Sequence, residues 1–205
     1  MTRTIGVTGG IGSGKSTVCR FLKSFGARVF NADDRAKRIM SDDLQVRQEV
    51  MDAFGVDSYT VAGRLNTVYL AKEIFSDNER VKRINAIVHP RVLAAFSSAA
   101  EMARMDGVSL MVMEAALIYE SGADELLDYV VAVDAPVDTR IARVSERDEV
   151  SREEVAARMR HQLDPEELVR RADFVIRNDG SLEDLRNEVA VLMREVLGPP
   201  PRGGG

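Results

Sequence analysis

The segment Gly9-Gly10-Ile11-Gly12-Ser13-Gly14-Lys15-Ser16 constrains the fold of this chain more than any other feature. It fits G-x-x-x-x-G-K-[ST] and follows an apolar run at residues 5–8. Beyond it, residues 16–25 carry Val18, Phe21, Leu22 and Phe25, the spacing of one helical face, and Gly26 is suited to stop that helix. A second apolar run at residues 27–30 completes strand, glycine-rich turn, helix and strand, the opening of a parallel α/β sheet. In that setting the glycines let the backbone curl so that successive N–H groups face one anion, aided by the helix N-terminus. Gly10, Ile11, Gly12, Ser13 and Gly14 therefore read as a cradle for the phosphates of a nucleotide, though the loop alone does not separate kinases from GTPases and ATPase motors. Lys15 supplies a cation to the β- and γ-phosphates, Ser16 a hydroxyl for Mg²⁺, and Thr17 a further phosphate contact. A dinucleotide-binding turn is the rival, because Asp33 follows at about the right separation. Lys15, however, stands where G-x-G-x-x-G, begun at Gly10, needs its last glycine.

Three more apolar runs, at residues 108–113, 129–133 and 174–176, read as further strands, for a parallel sheet of about five. About 75 residues separate the second strand from the third, far more than one crossover helix uses. Helical patterns fill that interval at residues 34–40, 44–54, 65–74 and 78–103, which we read as a helical insertion on the sheet. A second excursion, residues 138–172, is rich in Arg and Glu and reads as a solvated pair of helices. A last helix at residues 182–197 closes the sheet, and the tail GPPPRGGG, lacking core-forming residues, is expected to be disordered. The expected organisation is one domain over residues 1–197. Its core is about 1–33, 107–137 and 172–197, with the insertion at about 34–106, a lid region at about 138–171, and the tail at 198–205.

Composition narrows the function classes. With 33 Asp and Glu against 28 Lys and Arg, the net charge of −5 argues against holding nucleic acid by bulk charge, yet permits a local basic pocket. A single cysteine, Cys19, makes no internal disulfide and fits a reducing compartment. No run approaches 18 apolar residues, and the N-terminus has no signal-peptide h-region, so the expectation is a cytoplasmic protein with no membrane partner. Among phosphate-loop proteins, the chain has no N-K-x-D guanine signature and is short for a motor domain, which favours a small-molecule kinase.

From TGGIGSGKST onward the chain resembles the dephospho-CoA kinase family over roughly residues 3–197. Asn31-Ala32-Asp33 resembles the family's D-A-D. Ile74-Phe75 and Asn85-Ala86-Ile87-Val88-His89-Pro90 resemble I-F…L-N-x-I-x-H-P, and Leu117-Ile118-Tyr119-Glu120 resembles P-L-L-F-E. Arg143-x-x-x-Arg147-Asp148, Arg158-x-x-x-Gln162 and the segment from Ala172 through Asn178 to Gly180 continue the likeness. Asn31, Ile84 and Ala116 depart from the family's usual Asp, Leu and Pro. The resemblance implies a three-layer α/β phosphate-loop kinase fold with a helical acceptor-binding insertion and a helical lid. It also implies ATP-dependent, Mg²⁺-requiring phosphorylation of the ribose 3′-hydroxyl of dephospho-CoA, the final step of coenzyme A synthesis. The alternatives are another phosphate-loop kinase, for a nucleoside or nucleotide, and a nucleotide-binding switch that transfers nothing.

Within that reading Asp33, at the carboxyl end of the second strand, is the candidate base for the 3′-hydroxyl; its other reading is a helix N-cap, for which Asp34 is better suited. Arg143 and Arg147, four apart on one helix, suit two anionic oxygens of ATP, with Arg143 counted as catalytic alongside Asp33 and Lys15. Their other reading is a solvated face paired to Glu146 or Asp148. His89 either orients substrate or is buried structure, and Leu117 joins Asp33 and His89 as a substrate contact by family likeness. Glu114, ending the third strand, is a candidate to hold a metal-bound water, Cys19 is core, and His161 is surface. Expected partners are ATP and dephospho-CoA, with no nucleic acid, and the chain is expected as a monomer or weak homo-oligomer.

Overall fold

The computed structural model describes residues 1–74, 77–159 and 162–198. Phe75 of the I-F pair, His161 and tail residues 199–205 lie outside the described residues. The chain divides into two units, Met1–Phe30 with Ala99–Gly205, and Asn31–Ser98.

The first unit is built on a five-stranded sheet. Its strands are β1 (Arg3–Thr8), β2 (Arg28–Asn31), β3 (Leu110–Glu114), β4 (Tyr129–Asp134) and β5 (Phe174–Arg177), in the order β2-β3-β1-β4-β5. The β1–β3, β1–β4 and β4–β5 ladders run parallel, with Val7 opposite both Glu114 and Val131. Strands covered on both faces need apolar residues at nearly every position, which is why β3 and β4 read as unbroken runs rather than alternating ones. On one face Ile5, Val7, Val112, Val131 and Ile176 pack with Val18 and Leu22 of α1 (Lys15–Ser24) and with Leu185, Val189 and Leu192 of the C-terminal helix, residues Leu182–Leu197. On the other face Gly6 leaves room for the side chains of Ile118 and Leu127, into which an added Cβ would run.

The segment read as one pair of helices forms three: Val137–Asp148, Arg152–Met159 and Pro165–Arg171. The extra break has a local cause. Asp164 caps the third helix by accepting from the Glu166 N–H, and Pro165 takes the first helical position, where its missing N–H leaves nothing unpaired.

The second unit is helical: α2 (Ala32–Asp42), α3 (Leu44–Phe54), α4 (Thr67–Ile74) and the part of α5 (Asn78–Met105) up to Ser98. In chain order the helices after β4 are then α6 (Val137–Asp148), α7 (Arg152–Met159), α8 (Pro165–Arg171) and α9 (Leu182–Leu197). Asp43 caps α3 through the Gln45 and Val46 N–H groups, and the Tyr59 and Tyr69 hydroxyls donate to the carbonyls of Met40 and Phe54. Along α5 the buried residues Ile84, Val88, Val92 and Phe96 recur every fourth position, a single apolar stripe.

Candidate active site

The loop between β1 and α1 takes its shape from glycines that no other residue replaces. Gly12 and Gly14 adopt φ of 79° and 102°, in the left-handed region that L side chains avoid. At Gly14 an added Cβ would also strike the Asn178 side chain, and at Gly12 the Arg140 carbonyl. Gly14 is the N-cap of α1, so the helix begins with Lys15 and Ser16 at its positive end, and no acidic residue sits in its first turn. The Ser13 N–H closes the loop onto the Gly10 carbonyl at 3.1 Å. Lys15 reaches back over it, its Nζ 2.9 Å from the Gly9 carbonyl oxygen and 3.3 Å from that of Gly10. Ser16 is exposed, and Thr17 accepts from Arg20 at 3.0 Å.

Other elements of the first unit clamp this loop. Asn178, just past β5 and 6% exposed, donates from Nδ2 to the Ser13 carbonyl at 2.7 Å, while its own N–H bonds to the Asp134 carbonyl at 2.7 Å. Arg143 of α6 lies beside Gly14. Its Nη2 donates to the Asn178 carbonyl at 3.5 Å, and its Nη1 is buried without a hydrogen-bond partner. Arg140, one turn earlier, is only 5% exposed, its guanidinium lies against Gly10, and its Nε is buried and unbonded. An open hollow of about 250 Å³ adjoins it, lined by Asp134, Pro136, Arg140, Pro165, Arg177 and Asp179. Among the described residues, two buried guanidinium atoms and a buried Ser13 hydroxyl have no partners, which is what an anion-binding site shows, because buried polar groups otherwise find hydrogen bonds. Gln162 adds a third clamp, its Oε1 accepting the Ile11 N–H at 2.8 Å.

Glu114 ends β3 opposite Val7, and the Cys19 thiol hydrogen-bonds to it. Burial first, and the Glu114 carboxylate second, push that thiol well above its ordinary pKa, so Cys19 stays a neutral core group. Among the described residues no cluster of three or more His, Cys, Asp or Glu side chains stands ready to cage a metal. The donors present, the Ser16 hydroxyl and the Glu114 carboxylate, fit a hard divalent cation that takes most of its oxygens from phosphate and water. Arg147 is exposed and bound to its neighbour, Nε to Asp148 Oδ1 at 2.7 Å and Nη2 to Oδ2 at 3.1 Å, and Arg158 shares the same carboxylate. Leu117 is half-buried in the segment after β3.

Asp33 and His89 belong to the second unit. Asp33 is exposed in the first turn of α2. The residue that caps that helix is neither Asp33 nor Asp34 but Asn31, whose Oδ1 accepts the Asp34 N–H at 2.8 Å. Asn is as good a cap as Asp, so the departure from the family's D-A-D leaves the turn intact. His89 is half-buried on α5 next to Pro90, and burial lowers its pKa. Sequence reasoning gave no role to Arg140, Asn178 or Gln162. The signal available for the first two was position, since both follow the carboxyl ends of parallel strands, where ligands of such sheets bind.

A profile of the dephospho-CoA kinase family matches residues 3–184. A dephospho-CoA kinase of Salinibacter ruber is 53% identical over 195 residues, covering 95% of this chain and 98% of the relative. Among solved structures, a Thermus thermophilus protein superposes with a TM-score of 0.79 at 40% identity, covering 94% of this chain and 97% of that one. The dephospho-CoA kinase of Campylobacter jejuni superposes with a TM-score of 0.70 at 27% identity, covering 96% and 98%.

Proposed function

The chain belongs to the dephospho-CoA kinase family, and we propose that the residues gathered around its phosphate loop carry that family's reaction, transfer of the ATP γ-phosphoryl group to the ribose 3′-hydroxyl of dephospho-CoA. The reaction gives coenzyme A and ADP and is the last step of coenzyme A biosynthesis. The observation that carries the assignment of residues is the set of buried, unbonded donors on Arg140 and Arg143 facing a glycine loop with Lys15 at a helix N-terminus.

Phosphoryl transfer asks for neutralised charge and an oriented nucleophile more than for covalent help. Residues Gly10 to Thr17 hold the phosphates, through backbone N–H groups other than those of Ile11, Ser13 and Thr17, which bond to Gln162, Gly10 and Gly14. Lys15 leaves the Gly9 and Gly10 carbonyls for the β- and γ-phosphate oxygens, a short swing because the loop already brackets its ammonium group. Arg143 places its unpaired Nη1 on the charge that builds on the transferred group, and Arg147 extends the cationic row one turn further when it releases Asp148. The hollow beside Arg140 takes the nucleoside end of ATP. Mg²⁺ is the divalent ion we assign, with Ser16 as its protein ligand and Glu114 acting through water; bound there it offsets phosphate charge. Asp33 accepts the proton of the 3′-hydroxyl, while His89 and Leu117 orient the acceptor. We assign residues 34–106 to acceptor binding, the helices within residues 138–171 to covering the nucleotide, and the chain to the cytoplasm as a monomer or weak homo-oligomer.

Turnover with ATP and a panel of dephospho-CoA, nucleosides and nucleotides tests the whole reading, with the Asp33→Ala variant beside the wild type. Dephospho-CoA is expected to be the preferred acceptor. Asp33→Ala is expected to bind ATP as before and to lose about 100-fold or more in kcat, the scale of a missing general base. Unchanged turnover in that variant would remove Asp33 from the chemistry, and faster turnover of a nucleoside would overturn the acceptor.

A further inference from the structure

The peptide group between Gly10 and Ile11 is held at both ends. Its carbonyl, the Gly10 oxygen, accepts from the Ser13 N–H at 3.1 Å and from Lys15 Nζ at 3.3 Å. Its N–H, that of Ile11, donates to Gln162 Oε1 at 2.8 Å, a bond between residues 151 apart in sequence. Because the peptide is planar, the direction of the N–H sets the direction of the carbonyl. The side chain that takes the Ile11 N–H therefore also decides where the oxygen next to Lys15 points. The preceding residue is glycine, which by itself does little to hold one orientation.

Gln162 is itself secured. It follows α7, its backbone N–H bonds to the Met159 carbonyl at 3.2 Å, and the next N–H, that of Leu163, reaches Glu120 Oε1 at 3.3 Å. Glu120 sits in the segment that follows β3, and the same segment carries Tyr119, whose ring lies 3.9 Å beneath the Arg171 guanidinium of α8. The chain between α7 and α8 is thus fastened to the phosphate loop by one residue and to the post-β3 segment by the next. The choice of side chain is chemically pointed. Ile11 needs an acceptor, and a carboxylate would serve as well for geometry, but it would set a negative charge beside an anion site. The neutral amide oxygen accepts the same bond without that repulsion.

We infer that Gln162 is a positioning residue of the reaction: through the Gly10–Ile11 peptide it orients one of the two loop carbonyls that park Lys15, and it couples residues 162 and 163, after α7, to the ATP phosphates. The inference rests on the kinase reading for its catalytic meaning, but not for its effect on ATP binding. The test is to titrate ATP into wild type, Gln162→Ala and Gln162→Glu without acceptor, then to measure kcat and both KM values and the melting temperature.

Gln162→Ala is expected to weaken ATP binding by about tenfold, the scale of one lost hydrogen bond to the loop, and to lower kcat with it. The KM for dephospho-CoA stays as in wild type, and the melting temperature falls by only about 2–4 °C, the cost to folding of that one bond. Gln162→Glu is expected to keep the bond yet bind ATP poorly at low salt, recovering as ionic strength screens the added charge, whereas Gln162→Ala does not recover. Wild-type ATP affinity and kcat in Gln162→Ala would overturn the inference. So would equal losses toward ATP and dephospho-CoA, which mark a merely structural side chain. Should the wild type bind ATP but fail to phosphorylate dephospho-CoA, the proposed reaction falls, and the ATP affinities still decide for or against Gln162.

Discussion

Arg140 and Arg143 lie on adjacent turns of one helix and both withdraw guanidinium atoms from water without a carboxylate to meet them. Among the described residues neither forms an ion pair, although acidic residues outnumber basic ones in the chain. Arg147, on the following turn, shows the ordinary fate of such a residue, paired with Asp148 in solvent, where the bond contributes little. That Arg147 bond nevertheless holds the Asp148 carboxyl below its usual pKa. The three arginines have the same chemistry, and burial separates their roles. His89 gives a residue-scale prediction. Burial lowers its folded pKa below the unfolded value of about 6.5, so the unfolded chain binds the proton more readily. Stability attached to His89 is therefore complete above about pH 6.5 and is lost as pH falls through the folded pKa. The difference in melting temperature between pH 7.5 and pH 5.5 should shrink in His89→Gln, and an unchanged difference would show that His89 does not contribute.

The phosphate loop is the element in which local sequence and distant packing meet. Gly14 needs its positive φ, and the space its Cβ would occupy is filled by Asn178, which in turn bonds the Ser13 carbonyl. Asn178→Ala leaves that buried carbonyl unpaired and should cost about 1–3 kcal/mol by denaturant titration. Gly14→Ala should cost a similar amount through backbone strain and collision. Made together, the two should cost less than their sum, because the side chain that collides with the new methyl is gone; simple additivity would mean the contact is not felt. At this scale the sequence was informative. Strands β1 to β5 and the helices α1, α3 and α9 lie within a few residues of the apolar runs and spacings that announced them. The break that makes three helices of residues 138–172 was announced as well, by Asp164-Pro165, but the density of charge there masked it. The cap on α2 was misread because Asn31, Asp33 and Asp34 are all competent, and only the extended backbone at Asn31, φ −86° and ψ 110°, selects among them.

At the scale of the whole molecule, a net charge of −5 coexists with a site of concentrated positive charge, since the field at the loop is set by Lys15, Arg140 and Arg143 at close range rather than by the sum over the surface. The loop, its arginine helix and its clamps all belong to the sheet unit, so nucleotide binding should be felt first there. ATP at a hundred times its Kd should stabilise that unit by about 2.7 kcal/mol. Hydrogen exchange should slow in β1, α1 and α6 before it slows in α3 or α4; protection that began in the helical unit would contradict the placement of ATP. By itself the sequence determined the order of strands and helices, the glycine loop, and the family, because apolar periodicity and turn chemistry are written in neighbouring residues. Only the tertiary structure decided that Arg140 is buried, that Asn178 holds Ser13, and that Gln162 takes the Ile11 N–H. A hydrogen-bond donor records that it needs an acceptor, but which of many distant acceptors it meets is fixed by how the sheet brings the strand ends together.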